Sequence, residues 1–382
     1  TYTPTPQEIV DGSVTLTLTT TANANCVPES DEVTIFFDPE PTITAGSNLI
    51  SCANNPTVQL EGAFTNASGV QWAGGTGFFN PNDETANAIY TPSAAEITNG
   101  FVSLTIESIG TGACPQVTDQ MSITITPAPV VDAGANLEVC ANNNTAQLSG
   151  SVQFAVGGQW SGGLGNFTPS NNSLTASYQP TAAEIAAGSV TLTLTSLGNG
   201  SCDAVSDQIT ISFTPAPVID AGVDQTLCEN NPNVQLAGSF TVSEGANWSG
   251  GAGSFSPNNN TPNAIYTPSP SELANGTVTL TFSTFGNGNC LPVSDQVTFN
   301  FTPSPVVEVG DDFFACVDDL AVPLNGQVSG GSTTGTWTTS GTGIFVPNAS
   351  ALNGSYLASS QDSLIGEITL TLTSTNNGNC TA

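Results

Sequence analysis

The residues best suited to covalent chemistry are nine cysteines: Cys26, Cys52, Cys114, Cys140, Cys202, Cys228, Cys290, Cys316 and Cys380. Their spacings run 26, 62, 26, 62, 26, 62, 26 and 64 residues. A thiol can attack as a nucleophile, ligate a metal or oxidise in pairs. The chain holds no Lys, Arg or His. No cationic side chain therefore stands by to activate a thiolate, and a Ser-His-Asp or Cys-His site cannot be built. Zinc would have only Cys and carboxylates, and no Cys-x-x-Cys pair occurs. Disulfides in an oxidising compartment are the reading left.

Carboxylates are the other reactive groups. There are 31 Asp and Glu, giving a formal charge of −31. Two carboxylates alone can hydrolyse a glycoside. Here, however, the acids recur with the chain's period, as Glu96, Glu184 and Glu272 and as Asp31, Asp119, Asp207 and Asp295. A catalytic pair need not be copied into every domain, so we expect no enzyme and no catalytic residue. Calcium is the one cofactor such acids could take, but it needs several oxygens converging on one point. No Asp-x-Asp-x-Asp-Gly run exists, and the one place where two acidic pairs fall close together is Asp311-Asp312 with Asp318-Asp319. Helix caps, turns and solvated surface account for the acids more simply. Without a cation, nucleic acid and anionic membrane are excluded as partners. The runs GGTG, GGLG and GGAG have no Lys and no following helix, so they read as tight turns rather than phosphate loops.

These residues are positioned by a repeat. Cysteine spacing gives a period of 88, and Trp72, Trp160, Trp248 and Trp337 keep it, as do Tyr90, Tyr178, Tyr266 and Tyr356, with one extra residue before Trp337 and one more between it and Tyr356. The tryptophans, each in a short strand, are expected to fill cores with the tyrosines; sugar stacking is the alternative for Trp. Period-2 alternation in Val278-Thr279-Leu280-Thr281-Phe282, with turn signals every 8–12 residues, predicts about seven short strands per repeat. The fold class is therefore all-β, with tandem immunoglobulin-like sandwiches of about 88 residues forming an extended rod. Pro-x-Pro pairs, from Pro39/Pro41 to Pro303/Pro305, set stiff boundaries. They divide the chain into 1–38 (the back part of a repeat), 39–126, 127–214, 215–302, and 303–382, which lacks its last strand. That division suggests a segment of a longer array. Ser93 with Glu96 forms a capping box, repeated at Thr181/Glu184 and Ser269/Glu272, so a one-turn helix is expected there. Ser359-Ser360-Gln361-Asp362 reads as a departure from that pattern. No 18-residue apolar stretch occurs, so no membrane insertion is expected.

Disulfide connectivity stays open at this level. In such a sandwich, the two cysteine-bearing loops of one repeat lie at opposite ends, roughly 30 Å apart along a ten-residue strand. A disulfide needs Cα atoms within about 7 Å. Pairing within a repeat (Cys140 with Cys202) is strained, and pairing of 26-residue neighbours is worse. An inter-domain scheme fits best: Cys52 with Cys202, Cys140 with Cys290, and Cys228 with Cys380. Cys26, Cys114 and Cys316 then look for partners outside the segment. The intra-repeat scheme is the close competitor, because the strand assignment is itself inferred.

The succession DAGVDQTLC, VQLAGS, WSGGAGSFSP, NAIYTPSPSELANGTVTLT, GNGNC and VSDQVTF resembles the PKD-like repeats of giant Bacteroidota surface proteins, including gliding-motility adhesins of the SprB type. The likeness spans the chain and loosens in the last repeat, at VEVGDDFFACVDD and WTTSGTG. It implies type IX secretion and anchoring at the outer membrane of a Gram-negative cell. It also implies a surface filament that adheres or is moved in gliding. The expected function is a stalk that projects a tip and bears load. Its partners are neighbouring repeats, other copies laterally, and a surface or glycan met through regions outside this segment. An array of glycan- or calcium-binding modules and an inert stalk of a secreted enzyme are the competing readings. Asp362-Ser363-Leu364 resembles a Bacteroidota O-glycosylation signal, with Ser363 as acceptor.

Overall fold

A computed structural model describes residues 1–21, 24–316 and 319–381. Asp318, one of the clustered acids, lies outside the described residues. The fold is all-β, with five one-turn helices among the described residues.

Contacts divide the chain into two units. The first holds residues 1–137 and 145–212. Within it, repeat 39–126 shows the domain plan. A four-stranded sheet orders Leu49–Cys52, Thr118–Thr126, Phe101–Ile109 and Gly69–Ala73. Its long hairpin is antiparallel, with Val102 opposite Ile123 and Leu104 opposite Met121. Leu49–Cys52 runs parallel to the last strand, with Cys52 opposite Thr126. A three-stranded sheet of Val58–Gln59, Ile89–Thr91 and Phe78–Asn80 and the pair Thr42–Thr44/Ala63–Thr65 complete the domain.

The alternation dictates the layering. In Phe101–Ile109, Val102, Leu104 and Ile106 are buried, while the residues between them face outward. They pack with Trp72, Tyr90, Met121, Ile123 and Ile125. The Trp72 indole donates to the Ala86 carbonyl at 3.1 Å, which satisfies its one polar atom. Repeat 127–214 reuses the plan, with Trp160 opposite Leu194 and Tyr178 opposite Phe167. At the start of the chain, Pro6–Asp11 is helical and Ser13–Thr19 pairs with Ser30–Phe36. This hairpin leaves Leu18 79% and Val33 59% exposed.

The second unit holds residues 138–144 and 213–382. Its repeat 215–302 buries Trp248, Tyr266, Leu280, Phe282, Val297 and Phe299 in one core. Repeat 303–382 has a smaller core of Val322, Leu324, Val328, Trp337, Tyr356 and Leu372. There Thr334–Thr339 pairs with Leu370–Thr375. No strand is formed over 309–316, the position equivalent to the cysteine-bearing strand.

The last repeat also corrects one expectation. Ser359 and Asp362 form a full capping box at the start of helix Ser360–Ile365. Asp replaces Glu at the third helical position and still reaches the cap backbone, so the helix is kept rather than lost. A further box, Thr5 with Glu8, starts the first helix.

Candidate functional site: the clamped repeat joint

Each joint is built from the two turns that carry cysteine. The first turn follows the strand ending at Cys52, Cys140 or Cys228, and each of these cysteines has an isolated bridge to Asn55, Asn143 or Asn231. The second is the turn Asn199–Cys202 or Asn287–Cys290, closed by a backbone bond of 3.0 Å in each case. The structure joins Cys52 to Cys202, Cys140 to Cys290 and Cys228 to Cys380, with Cα separations of 4.9, 5.0 and 4.9 Å. Both partners of each bond lie in one unit. Residues 138–144 fall in the second unit, where Asn142 and Asn143 bond the Leu291 and Asn289 carbonyls beside the Cys140–Cys290 bond. A disulfide closing a long loop typically contributes about 2–4 kcal/mol by restricting the unfolded chain.

A polar pair flanks each bond. Asn54 donates through Nδ2 to the Asp203 carbonyl at 3.0 Å and accepts from the Asp203 amide at 3.1 Å. Asn142 does the same with Leu291, at 3.0 Å both ways. Asn230 does so with Thr381, at 3.0 and 3.2 Å. A carboxamide presents a donor and an acceptor side by side, so it reads one backbone residue as a sheet neighbour would. These asparagines were not singled out from sequence. Their signal was present as Cys-x-Asn, recurring with the period.

Cys26 and Cys316 are exposed and unbonded, and Cys114 is half-buried and unbonded. Cys114 Sγ lies 3.4 Å from the Asp38 carbonyl and 3.7 Å from that of Pro39. Cys202 and Cys290 sit likewise, 3.5 and 3.6 Å from the carbonyls of Pro127 and Pro215.

The repeated carboxylates hold the domain together from within. Glu96 accepts from the Thr76 and Ser93 amides at 2.7 Å and from the Tyr90 hydroxyl at 2.9 Å. Glu184 accepts from the Leu164 and Thr181 amides and from Tyr178, each at 2.7 Å. Glu272 binds Ala252, Ser269 and Tyr266, and Asp362 binds Thr342, Ser359 and Tyr356. Each tyrosine in turn accepts an amide from the glycine loop, such as Gly165 on Tyr178 at 2.9 Å. Burial alone would raise the Glu184 carboxyl, but the donors outweigh it and hold the group at about 2. Glu96, Glu272 and Asp362 are lowered in the same way. Burial, aided by the carboxylate, pushes Tyr178 up to about 12.

The glycine runs serve this cluster. Gly75 has φ +69°, and a Cβ there would collide with the Tyr90 hydroxyl and lie 2.9 Å from Glu96 Oε1. Asp119 and Asp207 accept from the Ala45 and Ala133 amides at 2.8 and 2.9 Å, fixing the turns before the cysteine strands. No group of three or more Cys, Asp or Glu able to hold a metal is present among the described residues. Trp72, Trp160, Trp248 and Trp337 are all buried, so none offers a face to a sugar. Ser363 is half-buried in the last helix, its hydroxyl 3.4 Å from the Ser359 carbonyl. No helix among the described residues is long and apolar enough to cross a membrane.

No family model matches the chain. No curated protein matches it either. Solved structures of tandem β-domains do. Extracellular cadherin domains 3–6 of Protocadherin Gamma B2 align at 14% identity over 83% of this chain and 91% of that one, with a TM-score of 0.31. Drosophila N-cadherin EC1–4 aligns at 14% over 76% and 83%, with a TM-score of 0.30. An I-band fragment from titin aligns at 9% over 69% and 99%, with a TM-score of 0.39. The chain's own sheets make it an array of immunoglobulin-like β-sandwich repeats, and these low-scoring likenesses add nothing to that.

Proposed function

We propose that this chain is an extracellular structural segment, a stalk of clamped repeats within an adhesin. The observation that carries the reading is one joint built three times over. At each, a disulfide and a reciprocal Asn–backbone pair tie one repeat to the next. Disulfides at such density belong to oxidising environments, which supports a position outside the cytosol. Repeated carboxylates absorbed into structural hydrogen bonds, and buried tryptophans, favour this reading over an array of calcium or glycan modules. The finer assignment rests on the sequence resemblance. It is a surface filament of a Gram-negative Bacteroidota cell, delivered by type IX secretion and used in adhesion or gliding, with Ser363 as an O-glycan acceptor.

Non-reducing peptide mapping of the native secreted protein tests the clamp. Recovery of Cys140 linked to Cys290 supports it, and recovery of Cys140 linked to Cys202 overturns it. Antibody labelling of intact cells tests the location, and a deletion strain that adheres and glides normally would overturn the adhesive role. Calcium titration that raises the unfolding midpoint of the chain would favour the binding-module reading.

A further inference from the structure

The three disulfides overlap along the chain: Cys140 falls inside the loop closed by Cys52–Cys202, and Cys228 falls inside the loop closed by Cys140–Cys290. Overlap changes where tension runs. The shortest covalent route from the first residue to the last passes from Thr1 to Cys52 and crosses to Cys202. It then follows 26 residues to Cys228 and crosses to Cys380. Residues 53–201 and 229–379 lie off that route. Most of four repeats, with the cores around Trp72, Trp160, Trp248 and Trp337, is bypassed.

Most of the one internal stretch on the route is already strand. It comprises the strands Ser206–Thr214, Val218–Asp220 and Gln225–Cys228, with Pro215 and Pro217 between the first two. A strand rises about 3.3 Å per residue, close to the limit of a stretched chain, so the stretch holds little slack. Its first strand is held by an antiparallel ladder to Ser189–Leu197, which resists its being drawn out.

We propose that tension on this protein is carried from disulfide to disulfide through the Cys202–Cys228 stretch, so that the repeats stay folded under load that would otherwise unfold them. The proposal rests on the load-bearing reading above and sharpens it: the covalent framework sets the extensibility, and the sandwiches act as spacers.

The test is single-molecule stretching of the whole chain held by its two ends. The covalent route amounts to roughly 80 residue steps, which limits extension to roughly 280 Å. The bare chain reaches roughly 1,300 Å. The oxidised protein should stop at the shorter limit and show no step the size of a repeat. After reduction it should lengthen about fivefold, in repeat-sized steps. Two double variants separate the bonds. C140S with C290S removes a bond off the route and should leave the limit unchanged. C52S with C202S forces a detour through Cys140–Cys290 and should raise the limit about 2.5-fold. Peptide mapping of the same samples distinguishes the two ways of failing. If other pairs are recovered, the clamp itself is wrong. If these pairs are recovered and the oxidised chain still releases repeat-sized steps, or C140S/C290S extends beyond the parent, the load path alone is wrong.

Discussion

The hydroxyl of Tyr178 lies 2.7 Å from Oε1 of Glu184, and the two close one end of a sandwich without any cation. The same hydroxyl accepts from the Gly165 amide at 2.9 Å, so one tyrosine joins a strand, a loop and a helix cap. Removing that hydroxyl leaves a buried carboxylate short of a donor and an amide short of an acceptor. Tyr178→Phe should destabilise its repeat by about 1–3 kcal/mol, the usual cost of orphaning buried partners. Denaturant unfolding of the variant checks this, and an unchanged midpoint would show the cluster to be dispensable.

The same pair defines a pH window. Glu184 is held at about 2 against an ordinary value of 4.5. A carboxyl lowered on folding contributes stability above its unfolded value, and that contribution is lost as the pH falls through the folded value. Tyr178 is raised to about 12 from 10.0, so its contribution is complete below 10 and is lost as the pH rises toward 12. Stability should therefore be flat from about pH 5 to pH 10 and fall on both sides. The decline on the acid side should run from about 4.5 down to 2. Denaturant midpoints measured across this range check it, and Glu184→Gln should make the acid limb shallower while the lowered Glu96, Glu272 and Asp362 keep the rest of it.

Two glycines with similar backbones should differ in cost. Gly75 and Gly12 have φ of +69° and +77°. A Cβ on Gly12 meets nothing within 4 Å, whereas on Gly75 it runs into Tyr90 and Glu96. Gly12→Ala should cost about 1 kcal/mol from the left-handed backbone alone. Gly75→Ala should cost about 1–3 kcal/mol more from crowding. Equal losses in thermal unfolding would assign the whole effect to the backbone.

At the joint, Asn142→Ala should speed hydrogen exchange at the Leu291 amide, which loses its acceptor. The cost is expected near 1 kcal/mol or less, since the pair is exposed. Exchange in the core strand Thr277–Phe285 should not change. Faster exchange throughout that strand would mean that the asparagine supports the whole domain.

Thiol counting gives a direct check on pairing. Cys26, Cys114 and Cys316 are unbonded. Alkylation of the native, unreduced chain should mark these three positions and spare the six bonded ones until a reductant is added. Label on Cys140 or Cys290 without reduction would contradict the joint.

The period, the sandwich class and the capping boxes at Ser93, Thr181 and Ser269 were legible because each depends on residues near in sequence. Alternation such as Val102-Ser103-Leu104-Thr105-Ile106 states which side chains face inward, and Ser three residues before Glu states where a turn of helix starts. The box at Ser359/Asp362 was not recognised, because Asp for Glu looked like a break in the motif, yet its carboxylate still reaches the Ser359 amide at 2.9 Å. The second role of these acids was hidden for another reason. Thr76 and Glu96 are 20 residues apart, and only the packed loop brings that amide to 2.7 Å from that carboxylate.

By itself the sequence determined what this protein lacks and what it repeats. Without Lys, Arg or His no phosphate grip or histidine relay can exist, and an 88-residue period of Cys, Trp and Tyr calls for one small β-domain per copy. It narrowed the cysteine pairing to three schemes and could go no further, since spacing counts residues and not ångströms. The tertiary structure decided the rest. Cys52 and Cys202 are 150 residues apart in the chain and 4.9 Å apart at Cα because two turns from successive sandwiches meet at one joint. That meeting depends on how completed domains stack, a property no single repeat encodes.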